Sequence, residues 1–185
     1  MMREASSILA ECTLACVRLE EANALGESEF VERFGGVFEH SPWVAKSAWR
    51  KKPFGSLGAL HAAMMQAVAE AGKEDQLALV RAHPELAGAE ANEGALTADS
   101  SSEQGRLGFL KLTHEEFEAM QRLNQRYREK HGFPCIVALR LHATRASVLA
   151  EMSRRIESES QTEFKAALEQ IGHITCGRLE KIVGG

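Results

Sequence analysis

Apolar residues recur along this chain every three or four positions, which is the spacing of one buried face on an α-helix. Good helix formers dominate, and no stretch alternates between apolar and polar residues as a half-buried strand would. The pattern predicts helices over about 5–24, 28–38, 57–72, 74–83, 100–109, 114–131, 144–158 and 161–182. Glycine and proline mark breaks between them, notably at Pro84, at 132–134 and in the segment 88–99, which we interpret as a loop. We therefore expect an all-α protein.

Two segments between the predicted helices have unusual content. The stretch FEHSPWVAKSAW (38–49) is interpreted as an aromatic-rich loop, and we expect Trp43 and Trp49 to anchor it and the next helix to the core. The stretch HGFPCIVALR (131–140) is an apolar run after a glycine–proline break and is too short for a typical helix. Its leading backbone N–H groups are therefore candidates to bind something other than their own chain.

The last predicted helix places a charged residue on its apolar face. That face is formed by Phe164, Ala167, Leu168, Ile171, Ile174 and Ile182. Arg178 lies on the same arc, and a guanidinium that faces a core needs an anion beside it. An internal salt bridge, a side chain that extends outward to solvent, and a site for a bound anion all remain open. Arg155 projects nearer the edge of its own helix, and we expect it to be a surface charge.

Polar residues in two other helices suggest local structural roles. Asn124 lies within the inner face of the helix at 114–131, where we expect it to hydrogen-bond loop backbone. Ser100 and Glu103 fit an S-x-x-E capping box, which would satisfy free amides at the start of a helix. The same helix start could also bind a substrate carboxylate or carbonyl, and Gln104 adds an amide that both donates and accepts. Capping and binding can coexist there.

His83 has two interpretations. It is either a core histidine whose hydrogen bonds are satisfied or an acid/base group that faces a cleft, because Pro84 stops the helix beside it. No nucleophile is evident, since Ser41 and Ser100 have no adjacent base in sequence and no G-x-S-x-G motif occurs. The residues alone thus favour a histidine-centred pocket with an inward arginine and do not name a reaction.

Composition narrows the class of protein. The chain has 185 residues, no repeats and no dividing linker, so we expect one domain over 1–185, a multi-helix bundle. A net charge of −4 gives no indication of nucleic acid or of an anionic membrane as a partner, and no apolar run reaches the length of a membrane span. Four scattered cysteines, Cys12, Cys16, Cys135 and Cys176, lack zinc-site spacing and indicate reduced thiols in the cytoplasm. The seven histidines are equally dispersed, so we expect no metal site.

Several motifs occur together in a specific order. They are FEHSPWVAKSAW, KKPF, QLALVRAHPELAG, LTADSSSEQ, LNQRYREKHGFPCIVALR and IGHITCGRLEKIV. In this combination, over about 20–183, the chain resembles the 2-oxo-4-hydroxy-4-carboxy-5-ureidoimidazoline (OHCU) decarboxylase family. The stretch GRLGF (105–109) departs from the G-A-G-L-like run usual in that family, and Cys135 stands where an aromatic residue is common.

The resemblance implies an activity and a set of site residues. It implies decarboxylation of OHCU to (S)-allantoin and CO2 in uric acid degradation, without a cofactor, by an all-helical enzyme that is commonly a homodimer. The catalytic residues it implies are His83, Glu103 and Gln104, with His83 as the acid/base. The substrate-binding residues it implies are Pro84, Ser100, Glu103, Gln104, Cys135, Ile136, Val137, Ala138, Leu139 and Arg178, those at 135–139 acting through their backbone.

Two alternatives remain beside that expectation. One is a related enzyme that acts on another ureido acid, which the altered stretch at 105–109 makes conceivable. The other is a non-catalytic helical protein that binds a heterocycle. The C-terminal KIVGG lacks an S-K-L-type peroxisomal address, which adds to the expectation of a cytoplasmic location.

Overall fold

A computed structural model describes residues 17–183, and the regular secondary structure in that range is helical apart from one isolated bridge between Val17 and Val183. The α-helices are α1 Leu19–Ala24, α2 Glu27–Phe34, α3 Trp43–Trp49, α4 Leu57–Glu70, α5 Lys73–Arg81, α6 Ala89–Glu93, α7 Ala98–Arg106, α8 His114–His131, α9 Arg145–Arg155 and α10 Ser160–Ile182, with a 3-10 turn at Leu139–Leu141. The all-α prediction is confirmed. Most of the predicted helix over 5–24, with Cys12 and Cys16, lies outside the described residues.

Two helices occupy segments that we interpreted as loops. Helix α3 lies within the aromatic-rich segment, because Pro42 takes a helical conformation at the N-cap instead of breaking the chain. Helix α6 lies within the glycine-flanked segment that follows the Pro84 break. The anchoring role of the tryptophans is confirmed: Trp43 and Trp49 pack against the core, and the Trp49 indole donates a hydrogen bond to the Leu25 carbonyl at 3.1 Å.

Helix α10 organises the core, since it contacts α4, α5, α8 and the 3-10 turn. Helix α8, which runs beside it, ends at Gly132, whose φ of 78° lies in the left-handed region that glycine adopts readily. The Gly132 amide bonds back to the Arg128 carbonyl at 2.8 Å. The chain therefore leaves α8 sharply and runs as the non-helical segment 133–138 along the core.

Arg155 contradicts our expectation of a surface charge. It is 2% exposed, and its Nε lies 2.9 Å from an Oε1 of Glu163 that is itself buried. The hydroxyl of Tyr127 donates to the same carboxylate oxygen. The helical wheel was misleading because it considered α9 alone, whereas Glu163 lies one turn into the next helix and supplies the counter-charge.

Candidate active site

His83 lies at the end of α5, between the C-cap Ala82 and Pro84, and is 4% exposed. Its Nδ1 is 2.9 Å from the Leu79 carbonyl. A carbonyl only accepts hydrogen bonds, so Nδ1 carries the hydrogen and Nε2 carries a lone pair. Among the described residues, Nε2 is buried and has no hydrogen-bond partner. His83 therefore presents an unpaired, basic nitrogen.

Burial keeps this imidazole neutral. Removal from water lowers the pKa of His83 to about 4, although the Leu79 carbonyl and the nearby Glu39 carboxylate act in the opposite direction. At neutral pH, Nε2 is thus free to accept a proton, which is the form that a general base requires.

Arg178 is paired inside the protein, so an internal salt bridge is the alternative that the structure shows. Its Nη2 lies 2.7 Å from Glu39 and 2.9 Å from Glu103, and its Nε donates to the second oxygen of Glu103 at 3.0 Å. Burial alone would lower the pKa of Arg178, but the two carboxylates raise it further above its usual value. The guanidinium is permanently charged and forms a two-point contact with Glu103.

Glu39 is a site residue that sequence reasoning missed. It is 4% exposed, has a φ of 51°, and accepts hydrogen bonds from Ser100 Oγ at 2.5 Å and Thr97 Oγ1 at 3.1 Å. Burial by itself would raise the pKa of Glu39, but the Arg178 charge and the Ser100 hydroxyl together lower it. The only signal in the sequence was its position in the aromatic-rich segment 38–49.

The capping box that we expected at Ser100 and Glu103 is wrong. The N-cap of helix α7 is Thr97, three residues before Ser100, and Thr97 Oγ1 accepts from the Ser100 amide at 3.3 Å. Ser100 therefore lies inside the first turn, where its hydroxyl accepts from Arg178 Nη2 at 3.1 Å. Ser100 and Glu103 both contact Arg178 of α10, and they do not form a capping box on α7.

Gln104 and Asn124 hold the loop that follows His83. Gln104 donates to the Glu85 carbonyl at 3.1 Å and accepts from the Ala87 amide at 2.9 Å. Asn124 donates to the Leu86 carbonyl at 3.0 Å, which confirms the structural role expected for it. These bonds fix the chain directly after the His83–Pro84 turn and so restrain the imidazole.

One small cavity brings most of the predicted site residues together. It encloses about 30 Å³ and is lined by Glu39, His83, Pro84, Leu86, Ser100, Glu103, Gln104, Cys135, Ile136, Val137, Leu139, Ile174 and Arg178. A neighbouring cleft of about 460 Å³ shares Glu103, Leu139 and Ile174 with it. Glu103 therefore lies between the small cavity and a larger cleft.

The segment 135–139 forms one wall of the cavity, with one exception. Ala138 is not part of the lining, and its amide donates to Gln170 Oε1 at 2.8 Å. Within residues 17–183, the amides of Val137 and Leu139 donate to no protein group. Cys135 contributes a buried thiol whose pKa is raised by burial to about 12, so it stays protonated at neutral pH.

The sequence has clear relatives among known proteins. The sequence model of the family described as OHCU decarboxylase matches residues 23–180. A protein of Haloferax volcanii named 2-oxo-4-hydroxy-4-carboxy-5-ureidoimidazoline decarboxylase is 40% identical over 161 residues, which are 87% of this chain and 93% of that protein. The mouse protein of the same name is 34% identical over 164 residues, 89% of this chain and 92% of its own.

Solved structures agree with these matches. A crystal structure of (S)-allantoin synthase superposes with a TM-score of 0.71 at 29% identity, over 91% of this chain and 54% of that chain. This chain thus spans about half the length of that protein. A crystal structure of OHCU decarboxylase in the presence of (S)-allantoin superposes with a TM-score of 0.63 at 22% identity, over 84% of this chain and 97% of that one, and shows the shared fold.

Among the helices of residues 17–183, none combines the length and the apolarity that a membrane span requires.

Proposed function

Because this chain belongs to the OHCU decarboxylase family, we propose that it converts OHCU to (S)-allantoin and CO2, with His83 as the acid/base. The observation that carries the assignment of His83 is its buried Nε2, which has no partner within the described part of the chain and lies in the same cavity as Arg178 and Glu103. A neutral base, a cation and a carboxylate that line one cavity are the groups that this reaction can use.

The substrate itself can take up the electrons of the broken bond. Its carboxylate sits on a ring carbon beside an imine, so the electron pair of the C–C bond moves into the ring as CO2 leaves. A ring nitrogen then takes a proton from solvent. In the proposal, neutral His83 Nε2 accepts the proton of the 4-hydroxyl, and the resulting imidazolium delivers it to the neighbouring ring carbon. Delivery to one face would give one enantiomer.

Substrate binding requires a rearrangement around Arg178. One guanidinium faces the carboxylates of Glu39 and Glu103, so the group as a whole is anionic and would repel the substrate carboxylate. Glu103 is the partner that can leave, because its side chain is 25% exposed whereas that of Glu39 is 1% exposed. We assign Arg178 to the substrate carboxylate and the displaced Glu103 to the ureido N–H groups.

The remaining predicted residues receive supporting roles. Pro84 forms a wall next to the imidazole, and Ser100 orients Arg178 through the hydroxyl contact described above. Gln104 restrains the loop after His83 and leaves one amide hydrogen for the substrate. The amides of Val137 and Leu139 are assigned to the ring oxygens, because both residues line the cavity and neither amide has a partner among the residues that the structure describes.

The activity is tested directly with freshly generated OHCU. Purified protein should release CO2 and produce an optically active allantoin signal faster than a sample without protein, because spontaneous decay gives racemic product. A rate and a circular dichroism signal equal to those of the spontaneous reaction would refute the enzyme assignment. Binding of a urate-like heterocycle without turnover would instead favour the non-catalytic alternative.

The pH dependence of kcat/KM is expected to follow His83. Since the neutral imidazole is the active form and its pKa is held near 4, kcat/KM should be flat across the neutral range and fall as the pH drops through about 4. The spontaneous rate is subtracted at each pH, and far-UV circular dichroism checks that the protein stays folded. An acid limb near 6.5, the ordinary value for histidine, would contradict a buried neutral base.

The proposal also includes a cytoplasmic homodimer. The dimer rests on the family resemblance, and the location rests on the scattered cysteines, of which Cys135 and Cys176 are free thiols in the structure. Light scattering coupled to size exclusion would separate a mass near twice 20.3 kDa from the monomer mass.

A further inference from the structure

Arg155 does not line the cavity but hydrogen-bonds the segment 135–139, which forms one of its walls. Its Nη1 donates to the Ile136 carbonyl at 2.5 Å, while its Nε and Nη2 bind Glu163. The two side chains are 2% and 1% exposed, and the Tyr127 hydroxyl completes the cluster. The cluster therefore joins α8, α9 and α10 to one carbonyl of the segment that faces the site.

Two more side chains hold the same segment further along. Gln170 of α10 accepts from the Ala138 amide at 2.8 Å. Arg106 of α7 donates to the Leu139 carbonyl and, at 3.1 Å, to the His142 carbonyl. Arg106 belongs to the stretch GRLGF, where this chain departs from the usual family pattern. Each of α7, α9 and α10 thus supplies one hydrogen bond to this wall.

The positions of these bonds decide which backbone groups remain available. In extended backbone, the N–H and C=O groups of successive residues point to opposite sides, so those of residues i and i+2 share a side. Bonds to the Ile136 carbonyl and the Ala138 amide on one side leave the Val137 amide on the other, and Val137 lines the cavity whereas Ala138 does not. The Leu139 amide, where the chain turns, is also unpartnered within the described residues.

We propose that Arg155, Gln170 and Arg106 are positioning residues, which fix 136–139 so that the Val137 and Leu139 amides meet the ring oxygens of the substrate. The inference rests on the proposed function for the identity of the ligand. It also explains why the chain keeps the buried ion pair Arg155–Glu163 outside the cavity, since such a pair stabilises a fold little compared with apolar residues of similar size. Apolar residues in place of the ion pair would leave the Ile136 carbonyl without a hydrogen-bond donor.

The first experiment separates positioning from stability. The triple variant Tyr127→Phe/Arg155→Met/Glu163→Leu replaces the buried cluster with apolar groups and leaves no unpaired buried charge. Its thermal midpoint should therefore fall only modestly, by the cost of the Ile136 carbonyl left without a donor. Its KM should rise ~10- to 100-fold, because the segment loses a restraint on donors that must be placed to about 1 Å. The kcat and the acid limb of the pH profile should not change, since His83 lies outside the cluster.

A matched control is the adjacent arginine of the same helix. Arg154→Met removes a surface charge that is 68% exposed and, among residues 17–183, is paired only with Glu151, and it should leave KM and kcat unchanged. A triple variant with the KM of the unmodified protein would overturn the proposal. So would a loss confined to kcat with a shifted acid limb, because that result would place the effect on His83.

The second experiment avoids the buried charges. Gln170→Glu keeps an acceptor oxygen for the Ala138 amide, whereas Gln170→Leu removes it, and Gln170 is only half-buried. Gln170→Leu should raise KM ~10-fold, and Gln170→Glu should stay within ~3-fold of the unmodified protein. Equal KM values for the two variants would contradict the assigned role of Gln170.

Hydrogen exchange followed by mass spectrometry provides a readout without turnover. Peptides that cover 135–139 should exchange faster in Gln170→Leu and in the triple variant, and at the normal rate in Arg154→Met. Unchanged exchange in the first two would overturn the proposal even if the protein is active. An inactive unmodified protein would refute the proposed function, and the exchange rates would still decide whether these side chains hold the wall.

Discussion

Replacement of His83 with asparagine is expected to lower kcat by at least ~100-fold, the usual contribution of a general acid/base group. Asparagine can still donate to the Leu79 carbonyl, so the local hydrogen bond is kept while the basic Nε2 is lost. The KM should change little, because Arg178 and the backbone donors remain. Steady-state rates of CO2 release, corrected for spontaneous decay, measure both parameters.

His61 provides the matched control for this substitution. It is a half-buried histidine whose pKa is also lowered by burial, but its Nε2 bonds to Thr175 Oγ1 at 3.0 Å and it does not line the cavity. His61→Asn should therefore keep kcat near that of the unmodified protein. Near-normal activity in His83→Asn would remove His83 from the chemistry, and an equal loss in both variants would indicate a general effect on folding.

Strong local signals explain which helices could be predicted. The bounds of α8 were predicted correctly, and α10 begins one residue before its predicted start. Both are long, and α8 also has a capping threonine at one end and a left-handed glycine at the other. Helices α3 and α6 have seven and five residues, too few for a 3.6-residue period to repeat convincingly, so their segments were interpreted as loops.

The site was predictable only where one helix determined the outcome. The position of Arg178 on the inner arc of α10 follows from that helix alone, and its burial is confirmed. Its partner Glu39 lies on a loop more than a hundred positions earlier, and no local pattern links the two. The same limit produced the error at Arg155, since Glu163 belongs to another helix. The error at Ser100 was local, because Thr97, three residues earlier, satisfied the capping rule first.

The substitution Arg178→Met is expected to lower the free energy of unfolding by about 3–5 kcal/mol at neutral pH, the range found when one partner of a buried ion pair is removed. The cost arises at Glu39, whose side chain is 1% exposed and would keep only its hydroxyl donors, Ser100 and Thr97. Glu103 contributes less, because its more exposed carboxylate can turn to water. Urea unfolding followed by circular dichroism measures the change.

Two double variants identify the carboxylate that carries this cost. Arg178→Met/Glu39→Met should recover most of the lost stability, since neither buried charge remains, whereas Arg178→Met/Glu103→Gln should recover little. Neither should recover activity, because both lack the proposed anchor for the substrate carboxylate. A larger recovery from the Glu103 substitution would show that the burial of Glu39 is not the main cost.

The pH dependence of the stability of Arg178→Met also tests whether the unpaired, buried Glu39 carboxylate causes the loss. In the unmodified protein, Arg178 lowers the pKa of Glu39, so this pair stabilises the fold above the ordinary glutamate pKa and the benefit is lost as the pH falls. Without Arg178, burial raises the pKa of Glu39, so the carboxyl takes up a proton more readily in the folded state than in the unfolded one. The stability deficit of the variant should therefore be largest at neutral pH and shrink as the pH falls towards the ordinary glutamate value. A deficit independent of pH would point to lost packing around the arginine stem instead of an unpaired buried charge.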